Sequence, residues 1–162
     1  MREIDMIVIH CSATRCDRDY PFERLDSDHR SRGWNGCGYH RYITKDGTIY
    51  IGRPYEQVGA HVGPTFNPHS IGICYEGGLN EKGQFADTRT VAQKRSMAKL
   101  IWELSARFPK ARILGHRDLP GVHKACPCFD VAKDGIAGTS SPEGVNLPPI
   151  RGRPSPGRVN DA

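Results

Sequence analysis

The segment from Gly115 to Asp130 places two histidines, a lysine and two cysteines within sixteen residues. Thiolate and imidazole are the donors Zn²⁺ prefers, and three protein ligands leave a fourth position for water or substrate. A fold that uses such a segment must bring a further ligand to it from elsewhere in the chain. His10 is the natural source, because it closes the apolar run Met6-Ile7-Val8-Ile9 and so stands at the C-terminal end of a buried strand. Ala111 to Leu114 reads as a second short strand that delivers His116 to the following loop. Strand ends are where a sheet presents side chains to a ligand. The trio expected to hold a catalytic zinc is therefore His10, His116 and Cys126. His123 and Cys128 are alternative ligands, and the Cys126/Cys128 pair would also suit a closed structural site.

The rest of the chain supplies a scaffold for that trio. In a strand, His10 and Ser12 point to one face and Cys11 to the other, so Cys11 is expected in the core. Tyr20 to Arg32 carries Phe22, Leu25 and His29 on one helical face, with Gly33 to end it. Gly38–Thr44 and Thr48–Gly52 flank Asp46-Gly47, a strong hairpin signal. Tyr39 and His40 begin that hairpin and point to opposite faces, so at least one should meet a groove. Gly59-Ala60-His61-Val62-Gly63 is a loop, Asn67-Pro68-His69 a turn, and Ser70 to Tyr75 a further apolar strand with Cys74 in the core. Thr90 to Phe108 is the most regular helix: Thr90 and Gln93 form a capping box, and Met97, Ile101, Leu104 and Phe108 make one apolar stripe. The order β-α-β-β-β-α-β predicts an α/β fold, a mixed central β-sheet flanked by helices.

Domain limits are expected at 1–134 for the folded unit and 135–162 for a flexible tail rich in Gly, Pro and Ser. At 162 residues, 37% hydrophobic and 25% charged, the chain can bury one sizeable core, and no run approaches the ~20 apolar residues of a membrane span. Met1-Arg2-Glu3-Ile4-Asp5 lacks the basic and then apolar character of a signal peptide, so a cytoplasmic protein is expected unless something releases it. Six cysteines in such a chain are expected to be reduced, although Cys11 and Cys16 could pair in an oxidising setting. The net charge of +5 is spread over the domain, which predicts no basic arm and no nucleic-acid partner. A monomer is expected.

The chain resembles the zinc-dependent N-acetylmuramoyl-L-alanine amidases of the amidase-2 type, which include phage endolysins and share a fold with peptidoglycan recognition proteins. The resemblance runs over residues 4–130. It rests on Ile7–Thr14, Gly38-Tyr39-His40, Asp46-Gly47-Thr48, His61 in its loop, Asn67–Gly72, Gly115-His116-Arg117-Asp118 and Lys124-Ala125-Cys126-Pro127, all in the family's order. It implies hydrolysis of the amide between N-acetylmuramic acid and L-alanine in bacterial peptidoglycan. It assigns the metal to His10, His116 and Cys126, and the catalytic roles to Tyr39 and Lys124. His61, Asn67 and His40 are candidate substrate contacts, with His40 open to a packing role as well; Arg117 and Asp118 are read as a local ion pair. The interval from His116 to Cys126 is longer than in the short phage enzymes, and the terminal helix after Phe129-Asp130 should be short or missing. Two other readings use the same fold: a module that binds peptidoglycan without cutting it, and a regulator that binds a phage RNA polymerase. Non-catalytic relatives typically lack the cysteine ligand, which is present here as Cys126.

Overall fold

The structure, a computed structural model, describes residues 1–138 and 150–152. In chain order the elements are β1 (Met6–Cys11), β2 (Thr14–Arg15), α1 (Phe22–Ser31), β3 (Arg41–Ile43), β4 (Ile49–Ile51), β5 (Ser70–Tyr75), β6 (Gly78–Leu79), α2 (Val91–Arg107), β7 (Arg112–Gly115) and α3 (Val131–Asp134). The central sheet runs β4-β3-β5-β1-β7. β1 lies between two parallel partners, β5 and β7, and β3 is parallel to β5, while the hairpin makes β4 antiparallel. This is the mixed sheet flanked by helices that the residue pattern predicts. A small parallel pair, β2 with β6, extends beyond it.

Every residue of β1 is buried, as a central parallel strand covered on both faces requires. Its side chains alternate between two cores. Ile7, Ile9 and Cys11 join Ile71, Ile73 and Tyr75 beneath Met97, Leu100, Ile101 and Leu104 of α2. Met6 and Val8 face the other way, toward Leu119, and on that side of the sheet Phe22 and Leu25 of α1 pack on Tyr42 and Cys74. Each large aliphatic side chain so buried contributes about 1.5–3 kcal/mol.

α2 is anchored as well as capped. The Thr90 hydroxyl accepts from the Gln93 amide and donates to the Lys45 carbonyl, and the Gln93 side chain accepts from the Thr90 amide. Gln93 Nε2 also donates to the carbonyls of Ile43 and Glu76, just where β3 and β5 end. The cap therefore ties the helix start to the sheet.

Arg89, just ahead of α2, clamps the C-terminal part of the domain. Its buried guanidinium pairs with Asp87 and Asp134 and lies 3.4 Å from the Phe129 ring centroid. The short final helix is present as the four residues of α3, with Gly135 in the left-handed region at its end. Most of the tail expected from residue 135 lies outside the described residues. Inside them, Ile136 departs from a free tail because the main core covers its apolar side chain. Arg151 departs from it too, exchanging backbone hydrogen bonds with Ile49 and Ile51 on the open edge of β4.

Candidate metal centre

The register of β1 against β7 pairs Ile9 with Gly115, so the next residues, His10 and His116, emerge side by side at the same edge of the sheet. Their ring centroids are 4.6 Å apart. Asp118 fixes the turn that follows β7, its carboxylate accepting from the Gly115 amide at 2.8 Å. It thus caps backbone rather than pairing with Arg117, whose amide donates to the Cys126 carbonyl. That bond draws the Cys126 loop back onto the strand end. The Cys126 Sγ lies 3.9 Å from His10 Nδ1 and accepts from the Cys11 amide at 3.3 Å. One donor atom from each of His10, His116 and Cys126 falls within 4.8 Å of the others, a set able to hold one metal ion. His123 is exposed, and Cys128 lies with its sulfur 3.7 Å from that of Cys11, which is buried in the core as expected.

These donors line a cavity of about 610 Å³, together with Tyr39, Lys124, His61, Asn67, His29, Arg32 and Trp34. Among the described residues, no acidic side chain lines it. Burial, with His61, His116 and Lys124 nearby, holds His10 well below the usual imidazole range. Burial and the Lys124 ammonium lower His116 also. Both imidazoles are therefore neutral at pH 7, the form that binds metals. Tyr39 packs its ring 5.0 Å from that of His10, and burial pushes its hydroxyl well above the usual phenol range, so it stays protonated and able to donate.

Two of the expected substrate contacts also bond within the protein. Asn67 Oδ1 accepts from the amides of His61 and Val62 and holds that loop in place. His61 Nδ1 lies 2.8 Å from His10 Nε2, and its Nε2 lies 3.1 Å from the Ser70 hydroxyl. His40 does not reach the cavity. It is fully buried, with Nδ1 accepting from the Gly72 amide and Nε2 donating to the Gln57 carbonyl, so it serves packing rather than substrate. His29 likewise accepts from the Gly38 amide and supports the strand entry before Tyr39. The sequence assigns no site role to Arg32 and Trp34, which line the cavity, or to Ser70 behind His61. A lone serine or arginine carries no spacing signal, and only the fold brings them here.

The sequence profile of the family described as N-acetylmuramoyl-L-alanine amidase matches residues 1–129, about four-fifths of the chain and all three metal-donor residues. The chain belongs to this family. The endolysin of Klebsiella phage KP32 is 36% identical over 132 residues, covering 82% of this chain and 85% of that one. The endolysin of Escherichia phage T7 is 36% identical over 129 residues, covering 80% and 83%. Among solved structures, the N-acetylmuramoyl-L-alanine amidase LysC from Clostridium intestinale URNW superposes with a TM-score of 0.70 at 34% identity, covering 85% of each chain. The activity of this amidase is hydrolysis of the amide between N-acetylmuramic acid and L-alanine of peptidoglycan, as in a phage endolysin. No helix among the described residues is long and apolar enough to cross a membrane.

Proposed function

We propose that the hydrolysis depends on a zinc ion held by His10, His116 and Cys126, with Tyr39 and Lys124 as the catalytic side chains. The observation that carries this reading is the convergence of two neutral imidazoles and a thiol within 4.8 Å of one another on the wall of the cleft at the strand ends. The donor set fits zinc: His₂Cys leaves an open position, and the Cys11 amide donates to the Cys126 sulfur and holds it at the strand end. Bound there, zinc supplies a Lewis acid and a water that ionises near neutral pH.

The chain's own residues do the rest. As the scissile carbonyl becomes tetrahedral, its oxygen gathers negative charge in a cleft to which the described residues contribute no carboxylate. The Tyr39 hydroxyl, kept protonated by burial, donates a hydrogen bond to that charge, and the Lys124 ammonium offsets it electrostatically. A water oxygen bonds to the carbonyl carbon, the C–N bond breaks, the lactyl side is released as a carboxylate, and the alanine nitrogen leaves as an ammonium carrying both water protons. The amidase acts as a monomer on peptidoglycan, without nucleic acid, after release from the cytoplasm in the manner of its endolysin relatives. Mass spectrometry of a peptidoglycan digest tests this. Stem peptides with a free L-alanine amino end should appear, vanish with chelator and return with added zinc. Activity that survives exhaustive chelation overturns the zinc assignment.

A further inference from the structure

His61 lines the cleft, yet protein confines both its ring and its backbone. Its ring rests against two glycines. A Cβ at Gly72 would lie 2.7 Å from His61 Nδ1, and one at Gly59 would lie 2.8 Å from Cδ2. Any larger residue at either position would displace the ring. The backbone is pinned as well, by the Asn67 carboxamide accepting from the His61 amide at 3.1 Å. Both ring nitrogens then meet protein: Nδ1 faces His10 Nε2 at 2.8 Å, and Nε2 faces the buried Ser70 hydroxyl at 3.1 Å.

From this confinement we infer that His61 is a positioning residue that fixes the ring and tautomer of His10 through a directed chain, His10 Nε2–H to His61 Nδ1 and His61 Nε2–H to Ser70 Oγ. The direction follows from the donor geometry and rests on the metal reading above. It is Nδ1 of His10 that turns toward Cys126. A neutral imidazole that gives Nδ1 to a metal carries its proton on Nε2. That proton needs an acceptor, and His61 Nδ1 is the atom within reach. With Nδ1 accepting, the His61 proton must sit on Nε2, where Ser70 Oγ can receive it. Outer partners of this kind orient ligating histidines, and their loss costs about 10–100-fold in metal affinity. Ser70 opens β5 and Gly72 lies two residues on, so the strand next to β1 supplies both the anchor and the space for the ring.

The test measures zinc affinity by chelator competition in the full chain, with circular dichroism to follow the fold. His61→Leu, close in volume but without an acceptor, should weaken zinc binding about 10–100-fold. His61→Asn sets an amide oxygen near the place of Nδ1 and should restore most of the affinity. Long-range ¹⁵N–¹H correlation spectra of the zinc-loaded unmutated protein report the tautomers directly, with protons expected on Nε2 of both His10 and His61. A proton on His61 Nδ1, or equal losses in the Leu and Asn variants, overturns the inference. Unmutated protein that binds no zinc overturns the metal reading itself, a separate outcome from the other two.

Discussion

At the scale of single residues, the cleft separates holding from reacting. His10, His116 and Cys126 are fixed by backbone and neighbouring rings, whereas Tyr39 and Lys124 reach the cavity from elements on either side of them. Removing either reacting group should leave the donor set in place. Tyr39→Phe deletes one hydroxyl and keeps the ring packed 5.0 Å from His10. Loss of one donor to a developing oxyanion costs about 10²–10³ in kcat. Tyr39→Phe and Lys124→Ala should each lower kcat by that order with stoichiometric zinc retained, as read by steady-state assay and elemental analysis of the same preparation. Near-normal rates in both would withdraw their roles. Residue identity and strand ends single out His10 and His116 in the sequence, because a parallel sheet places the ends of neighbouring strands together, whereas Cys126 lies in a loop and stands there beside the alternatives His123 and Cys128. Period-two alternation also told that Tyr39 and His40 face apart. It did not tell which one meets the cleft, since that depends on the Gly72 amide of β5 capturing the His40 ring. Ser70 was invisible for a similar reason: its only mark is its distance to a histidine nine residues earlier.

At the scale of elements, those with strong local signals lie where the residue pattern put them. β5 spans Ser70–Tyr75 as expected, and α2 runs between its expected caps, Thr90 and Phe108. β1 ends with His10 and Cys11 because the apolar run needs cover on both faces. The expected strand at Ala111–Leu114 is shifted by one residue, to Arg112–Gly115. The β2–β6 pair escaped notice, since two-residue strands built from Thr14-Arg15 and Gly78-Leu79 have no periodicity to read. α2 offers the clearest test of how a local signal becomes tertiary structure. Thr90 satisfies the Gln93 amide and also binds Lys45 beyond β3, so its loss removes a cap and a cross-link together. Thr90→Ala should destabilise the domain by about 1–2 kcal/mol, the range of N-cap deletions, while Thr90→Ser should cost much less. Urea unfolding with an unchanged m-value would show it. Equal stability of the Ala variant would mean that helix packing alone sets the start of α2.

At the scale of the whole molecule, the fold gathers His10, His29, His40, His61 and His116 on and behind one edge of the sheet and disfavours their protonation. His29 and His40 show the consequence most plainly, since neither belongs to the donor trio. Burial, with Arg32 adding to it, lowers His29 to about 4. Burial also lowers His40 to about 4, against the opposing pull of its bond to Gln57. In the unfolded chain both titrate near the ordinary value of 6.5. Above that pH neither state binds these protons, and the two residues give stability no pH dependence. Between about 6.5 and 4 the unfolded chain takes up protons that the native rings refuse, so stability falls as pH falls. The slope is about 1.4 kcal/mol per pH unit for each histidine that is fully excluded from protonation. Protonating His29 would break its bond from the Gly38 amide, and protonating His40 would break its bond from Gly72, so the loss falls on the entry to Tyr39 and on β5. The metal-free protein should therefore show a steady decline in Tm as pH is lowered from 6.5 toward 4. His29→Asn, which can keep an acceptor near the Gly38 amide in the place of Nδ1, should flatten that decline while costing some stability at pH 7. A Tm that holds constant down to pH 4 in the unmutated protein, or an unchanged slope in the Asn variant, would show that these histidines are solvated enough to titrate as they do in the unfolded chain.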